Sequence, residues 1–146
     1  MATHRLSYDT KLRADIAESA VIVELLKRGL RVLQPIGDRL PYDLAVDVRG
    51  KFIRLQVKSA WYEASKRLYT VDSRRTKTNR RQMRRARYTS NDFDFAILYV
   101  QDQGICYVMP VDVFMSYRSG ISLVERPTRQ REPRSARFRE RWNLLV

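Results

Sequence analysis

A carboxylate, a side-chain amide and an ammonium group occur at Asp43, Gln56 and Lys58. Carboxylate and amide oxygens are ligands that hard divalent cations prefer. A lysine beside such an ion adds a positive charge that can neutralise the negative charge of an anionic group. The three residues therefore suit metal-assisted chemistry, provided that the chain brings them together.

The surrounding residues predict a β-hairpin that does so. Apolar residues alternate with polar ones from Pro41 to Val48 and again from Lys51 to Lys58, with Arg49-Gly50 as the turn. A two-residue turn pairs Val48 with Lys51, and the same register places Asp43 opposite Gln56. Lys58 is then a diagonal neighbour on the same face. We therefore predict that the carboxylate, the amide and the ammonium converge.

This pattern resembles the signature of the PD-(D/E)XK nuclease superfamily, with Pro41, Asp43, Gln56 and Lys58 at the matching positions. Two departures stand out, since Tyr42 separates the proline from the aspartate and Gln56 replaces the second acid. Pro-Tyr-Asp-Leu followed by Gln-Val-Lys is most similar to the group I intron-associated homing endonucleases of that superfamily. The resemblance extends from the first helix to about Pro110.

A helix is predicted from Thr10, as its cap, to Gly29, where it ends. Its apolar residues form one broad arc, and they are Leu12, Ile16, Val21, Ile22, Val23, Leu25 and Leu26. Glu18 falls inside this arc, where an acid costs free energy unless it is paired or binds a metal. In the superfamily, a glutamate of the first helix commonly joins the metal site, and Glu18 matches it. The alternative is an ion pair with an Arg or Lys.

The resemblance implies one or two divalent ions, with Mg²⁺ expected. Their ligands would be Glu18, Asp43, the Gln56 amide oxygen and the Val57 carbonyl. Glu18, Asp43, Gln56 and Lys58 form the expected catalytic set, with Lys58 orienting the attacking water. A cross-strand ion pair between Asp43 and Lys58 is the alternative interpretation.

Composition points to a polyanionic partner. The 146 residues contain 29 Lys and Arg against 16 Asp and Glu, a formal net charge of +13, which favours nucleic acid. No segment has the length and apolarity of a membrane span. One cysteine, Cys106, and one histidine, His4, argue against a disulfide framework and zinc chemistry. No signal peptide is evident, so we expect a cytoplasmic protein.

An arginine-rich segment, residues 74–88, follows the predicted hairpin. A solvated run of like charge is one interpretation, and contact with DNA phosphates is the preferred one in so basic a chain. The expected DNA-binding residues are Arg74, Arg75, Lys77, Arg80, Arg81, Arg84, Arg85 and Arg87. Tyr88, Asn79 and Gln82 are candidates to reach bases.

We predict an α/β fold with a restriction-endonuclease-like core in a single domain. Its mixed sheet of four to five strands would comprise an edge strand at 31–34, the hairpin, a buried strand at 93–100 and a strand at 105–109. A further strand is expected at 67–73, a short helix at 111–117 and an extended piece at 120–124. Residues 1–125 would form the nuclease domain. Residues 126–146 would be a basic tail that lies along DNA, docks on the body or on a second subunit, or is disordered.

Three functions fit these features. The preferred one is a Mg²⁺-dependent, site-specific endonuclease of the intron-homing type that cuts double-stranded DNA as a dimer or tetramer. A nuclease similar to Holliday junction resolvases, selective for branched DNA, is the second. A non-catalytic basic protein that binds DNA or RNA is the third.

Overall fold

The computed structural model describes residues 9–78, 83–126 and 132–146. In chain order, its elements are α1 (Thr10–Lys27), β1 (Arg31–Leu33), β2 (Leu44–Val48), β3 (Lys51–Ser59), β4 (Trp61–Glu63), β5 (Leu68–Asp72), β6 (Arg74–Thr78), β7 (Met83–Arg87), β8 (Phe95–Val100), β9 (Ile105–Pro110), α2 (Val111–Met115) and β10 (Gly120–Leu123). Two short 3-10 helices, Arg134–Phe138 and Trp142–Leu145, complete them.

The central five-stranded sheet has the order β1-β2-β3-β8-β9. β3 and β8 run parallel, while the other neighbours are antiparallel. The mixed sheet is therefore confirmed. β8 is the apolar strand predicted to be buried on both faces, and Ala96, Ile97 and Leu98 within it are fully buried.

The β2–β3 hairpin has the predicted register, with Val48 opposite Lys51 and Leu44 opposite Leu55. Arg49 and Gly50 form the turn with φ of 55° and 82°. Positive φ at both central residues is what a two-residue type I′ turn requires. The Asp47 carboxylate accepts a hydrogen bond of 2.8 Å from the Gly50 N–H and stabilises the turn. The turn thus fixes which β3 residue lies beside each β2 residue.

Helix α1 covers one face of the sheet. Asp9, not Thr10, is its N-cap, because the Asp9 side chain accepts from the Leu12 N–H at 2.8 Å. Gly29, with φ of 75°, follows its C-terminus as predicted. The prediction of a single apolar arc on this helix was wrong. Ala17, Val21 and Leu25 are buried, whereas an outer stripe remains exposed, with Leu12 at 40%, Val23 at 49% and Leu26 at 56%.

A second sheet, with the order β10-β5-β4, covers the other face of the central sheet together with α2. The extended pieces at 67–73 and 120–124 were both predicted, but their pairing with each other was not. The two buried clusters lie on opposite faces of the central sheet: residues such as Leu44, Leu55 and Val57 pack toward α1, and Ala96 and Leu98 pack toward the second sheet. Gln56 and Lys58 alternate with Leu55 and Val57 along β3, so their side chains lie on the face toward the second sheet.

The arginine-rich segment forms a two-stranded antiparallel sheet, β6 and β7, in which Arg74 is opposite Arg87. We call this the basic hairpin (residues 74–87). Arg80, Arg81, Asn79 and Gln82 lie outside the described residues.

The C-terminal segment packs on the body of its own chain. Trp142 and Leu145 are 6% and 1% exposed, in the cluster that includes Val21 and Leu25. Arg28 lies 4.4 Å above the Trp142 ring, and Glu140 accepts a 2.6 Å hydrogen bond from the indole N–H. Among the alternatives for the end of the tail, the structure shows docking on the body. The domain boundary at 125 stays a prediction.

No helix in the described part of the chain is both long and apolar enough to cross a bilayer.

Candidate functional site

Asp43 lies immediately before β2 and is joined to β3 at two points. Its backbone N–H donates to the Leu55 carbonyl at 2.9 Å, and its Oδ2 accepts from the Val57 N–H at 2.8 Å. The regular register of the hairpin ends at Leu44–Leu55, and the Asp43 N–H bonds to Leu55 and not to Gln56, so the predicted pairing of Asp43 directly opposite Gln56 is not formed. The carboxylate is nevertheless held against the segment that carries Gln56 and Lys58.

The surroundings of Asp43 are unfavourable to its negative charge. Burial, above all, raises the pKa of its carboxyl group from 3.8 to about 6. The Val57 hydrogen bond opposes this rise, the charge of Glu18 adds to it, and the charge of Lys58 lowers it. Glu18 and Lys58 thus act on the same carboxylate. A divalent cation bound here would offset both the burial and the repulsion between the acids.

Glu18 lies at the edge of the buried face of α1 and is partly buried. Its Oε1 accepts a 3.1 Å hydrogen bond from the Gln34 side-chain amide. Gln34 follows β1, whose pairing with β2 brings this end of the strand alongside Asp43. Sequence reasoning gave Gln34 no role, although its place just after an edge strand beside Asp43 was a usable signal.

Gln56 is partly buried on β3, two residues before Lys58 and therefore on the same face. The Lys58 ammonium donates to the Arg74 carbonyl at 3.0 Å and lies 5.0 Å from the centroid of the Tyr88 ring. Lys58 is thus held by Arg74, the first residue of the basic hairpin, and by Tyr88, the residue that follows its last. The structure brings Glu18, Val57 and Lys58 close to Asp43, while their roles in a site stay a prediction.

The donor set suits a hard cation. It offers two carboxylates, the amide groups of Gln34 and Gln56, and backbone carbonyl oxygens. Among the residues that the structure describes, no group of three or more His, Cys, Asp or Glu side chains could hold a metal. This agrees with the replacement of the second signature acid by Gln56, which leaves Asp43 and Glu18 as the acids of the site.

The same face of β3 carries a structural ion pair. The Arg54 guanidinium lies 3.2 Å from Asp94, and Asp94 Oδ2 also accepts from the Arg54 N–H at 2.8 Å. Burial alone would raise the pKa of Asp94, but the bonds to Arg54 outweigh it and the pKa is lowered. Asp94 therefore stays ionised and fixes the start of β8 against β3.

The structure describes the side chains of only some of the expected DNA-contact residues. Arg74 and Arg87 are exposed, and Arg87 donates to the Met115 carbonyl at 2.8 Å. Only the backbone is described for Arg75, Lys77, Arg84 and Arg85. Tyr88 is 6% exposed and packs edge-on against Phe93 and Phe114. Its expected contact with bases was therefore wrong, because its ring belongs to the core.

The chain is similar to known endonucleases in sequence and fold. A family model described as PD-(D/E)XK endonuclease matches residues 8–145. A solved structure titled as the bacterial homing endonuclease I-Ssp6803I is similar, with a TM-score of 0.87 and 53% sequence identity. The similarity covers 94% of this chain and 93% of that chain. No curated protein matches.

Proposed function

We propose that this chain, which belongs to the PD-(D/E)XK endonuclease family and is a metal-dependent, site-specific DNA endonuclease, is of the intron-homing type. Its proposed catalytic residues are Glu18, Asp43, Gln56 and Lys58. The observation that supports this site best is the position of Asp43. Its carboxylate bonds to the Val57 N–H and lies within the electrostatic reach of both Glu18 and Lys58. A second acid and a lysine around one partly buried carboxylate suit metal-assisted phosphodiester hydrolysis.

Mg²⁺ is the proposed cofactor, as one or two ions, because oxygen donors surround the site. Asp43, Glu18, the Gln56 amide oxygen and the Val57 carbonyl would hold it. When bound, the ion promotes deprotonation of the attacking water and neutralises charge on the phosphate. Gln56 contributes no charge, so metal affinity depends more strongly on Glu18 than it would with a second signature acid.

Lys58 would orient the attacking water and neutralise the charge that develops on the phosphate oxygens. Its ammonium is attached to β3, the strand whose Val57 N–H holds Asp43. One rigid strand would therefore position the metal ligands and the cation, which favours catalysis by preorganisation.

The proposed DNA contacts are the cations of the basic hairpin. Arg74, Arg75, Lys77, Arg80, Arg81, Arg84, Arg85 and Arg87 all lie within or at the ends of this segment. Two antiparallel strands form a ribbon of a size that fits the major groove. Each phosphate that these cations neutralise should add about 0.9 to the slope of log K against log salt.

Cutting two strands needs two sites, and we propose a homo-oligomer. Trp142 and Leu145, at the end of the tail that was one candidate contact surface, are buried in their own chain. The exposed stripe of α1 is the better surface. The exposed Leu12, Ser19, Val23 and Leu26, with the half-buried Ile16, follow one another at spacings of four and three residues, as in a helix–helix seam. Leu12 and Leu26 are equidistant from Ser19, so the stripe is self-complementary in an antiparallel pair.

Cleavage of a library of long duplexes with Mg²⁺, with both cut positions mapped, tests this function. We expect cutting at one sequence on both strands, with Asp43→Ala and Lys58→Ala abolishing cutting while duplex binding remains. The matched control is Asp38→Ala, which removes an exposed loop acid. Preferential cutting of a four-way junction would instead support the resolvase-like alternative. Binding without cutting would support the non-catalytic one.

A further inference from the structure

The two ends of the basic hairpin meet at Lys58. Arg74, the first residue of β6, accepts the 3.0 Å hydrogen bond of the Lys58 ammonium through its backbone carbonyl. Tyr88, the residue after β7, places its ring 5.0 Å from the same ammonium. Arg74 and Arg87 are cross-strand partners, so the two contacts come from opposite strands of one ribbon.

Both ends are anchored in the body of the protein. On the first strand, the Arg74 N–H donates to Asp72 at 2.9 Å, and the buried Ser73 donates its N–H to the Ser119 carbonyl at 3.3 Å. On the second strand, Arg87 is bonded to the Met115 carbonyl. The base of the hairpin is therefore held in a fixed position relative to the rest of the protein.

The Tyr88 ring is equally constrained. Its centroid lies 5.1 Å from that of Phe93 and 5.9 Å from that of Phe114, both in edge-on geometry. Phe93 and Phe114 are fully buried. An aromatic face held in this way presents its negative quadrupole to the Lys58 ammonium in a defined direction.

Without such partners, a lysine side chain would sample many rotamers, because four rotatable bonds separate the ammonium from the backbone. A carbonyl on one side and an aromatic face on another select among these conformers. We propose that the Arg74 carbonyl and the Tyr88 ring are the positioning groups of Lys58, so that the hairpin proposed to contact DNA also sets the place of the catalytic ammonium. This rests on the role given to Lys58 in the proposed function.

Tyr88→Leu removes the aromatic face, whereas Tyr88→Phe keeps it. Phe138→Leu is the matched control. It replaces a buried aromatic ring of the same cluster that lies outside the Tyr88–Phe93–Phe114 group. The first measurement is the rate at which an acylating reagent modifies Lys58 in protein without metal or DNA, mapped by mass spectrometry. We expect about a three- to fivefold faster modification in Tyr88→Leu, and the wild-type rate in Tyr88→Phe and Phe138→Leu.

The second measurement separates catalysis from binding on the mapped duplex. Tyr88→Leu should lower the single-turnover cutting rate at saturating enzyme by at least about tenfold, with little change in the Kd for DNA. Tyr88→Phe should recover the rate. Loss of affinity with an unchanged rate, or failure of Tyr88→Phe to recover it, would overturn the proposal.

Asp72→Ala provides an independent route should Tyr88→Leu not fold. It removes the acceptor of the Arg74 N–H and should move the carbonyl, with the same direction of effect on Lys58. Were the wild-type protein to cut no duplex, the proposed function would fail, while the modification rates would still decide whether Lys58 is held. Unchanged modification in both variants, in a protein that cuts, would refute the positioning role alone.

Discussion

The Asp43 carboxylate accepts a 2.8 Å hydrogen bond from the backbone N–H of Val57, the residue between Gln56 and Lys58. This bond ties the acid of one hairpin strand to the other strand at the position where the ammonium and the amide leave it. The carboxylate is therefore placed by the sheet itself. Its burial, with Glu18 nearby, makes its protonation sensitive to pH near neutrality.

Asp43→Asn should stabilise the metal-free protein above pH 7. Since the folded pKa of Asp43, about 6, exceeds the ordinary 3.8, the folded state binds the proton more tightly than the unfolded state. The stabilisation that this proton gives the folded wild-type protein is complete below pH 4 and is lost as pH rises through 6. We expect urea unfolding at pH 8 to give the variant an advantage of about 1 to 3 kcal/mol, absent at pH 4. An equal or lower stability of the variant at pH 8 would contradict the burial of this charge.

Glu18→Gln should weaken divalent-ion binding and lower the pKa of Asp43, because the charge of Glu18 raises that pKa. Titration with Mg²⁺ or Mn²⁺ from pH 5 to 8 measures both effects, since binding must release the Asp43 proton at acidic pH. Glu24→Gln is the control, as Glu24 lies on the same helix but pairs with Arg28 at 2.6 Å. Equal effects of the two substitutions would remove Glu18 from the site.

Gln56→Glu should restore the acid of the family signature and tighten metal binding by at least about tenfold, or about 1.4 kcal/mol. The same change should destabilise the metal-free protein, because a third carboxylate joins Asp43 and Glu18. Calorimetric titration and unfolding with and without Mg²⁺ test both. Gln103→Glu in the exposed turn between β8 and β9 is the control. Unaltered metal affinity in Gln56→Glu would place the amide outside the ligand set.

Val23→Glu and Leu26→Glu should dissociate the proposed oligomer, because each puts a charge into the apolar stripe of α1. Light scattering at several concentrations gives the mass, and Ile36→Glu, at a side chain 97% exposed in a loop, is the control. In the antiparallel arrangement Ser19→Cys should cross-link through a short bis-maleimide. The natural Cys106 is 1% exposed and should not react. A wild-type monomer at high concentration, with and without DNA, would exclude this interface.

Trp142→Ala should cost about 3 to 5 kcal/mol, the usual range for removing a buried tryptophan. The ring packs in the cluster beneath α1 and lies under Arg28. Val146→Ala, at a side chain 77% exposed, should change stability little. Thermal and urea unfolding measure both. A tail that does not pack in solution would make the two variants equivalent.

The hairpin was predictable because its determinants are local: alternation with period two, and Arg49-Gly50 at the turn. Given that register, Asp43 had to lie near Gln56 and Lys58, and the family resemblance pointed to Glu18. The roles of individual site residues stay predictions.

The contacts that sequence reasoning missed are made between distant parts of the chain. β5 pairs with β10, and Trp142 packs against α1, because tertiary packing rather than local pattern selects these partners. The two apolar faces of α1 could not be separated either, since only the packed structure shows that Leu12 and Val23 lie away from the sheet. Tyr88 lies beside an arginine run and is nevertheless a core residue.

The connection between β3 and β8 begins after Ser59 and returns at Phe95, and β6 and β7 pair with each other in a sheet of their own within it. Replacing the outer part of this ribbon would therefore leave the hydrogen-bond ladders of the two larger sheets unaltered. If this ribbon makes the proposed DNA contacts, exchanging its outer part would give the protein a new recognition sequence, provided that Arg74 and Tyr88, which contact Lys58, are retained.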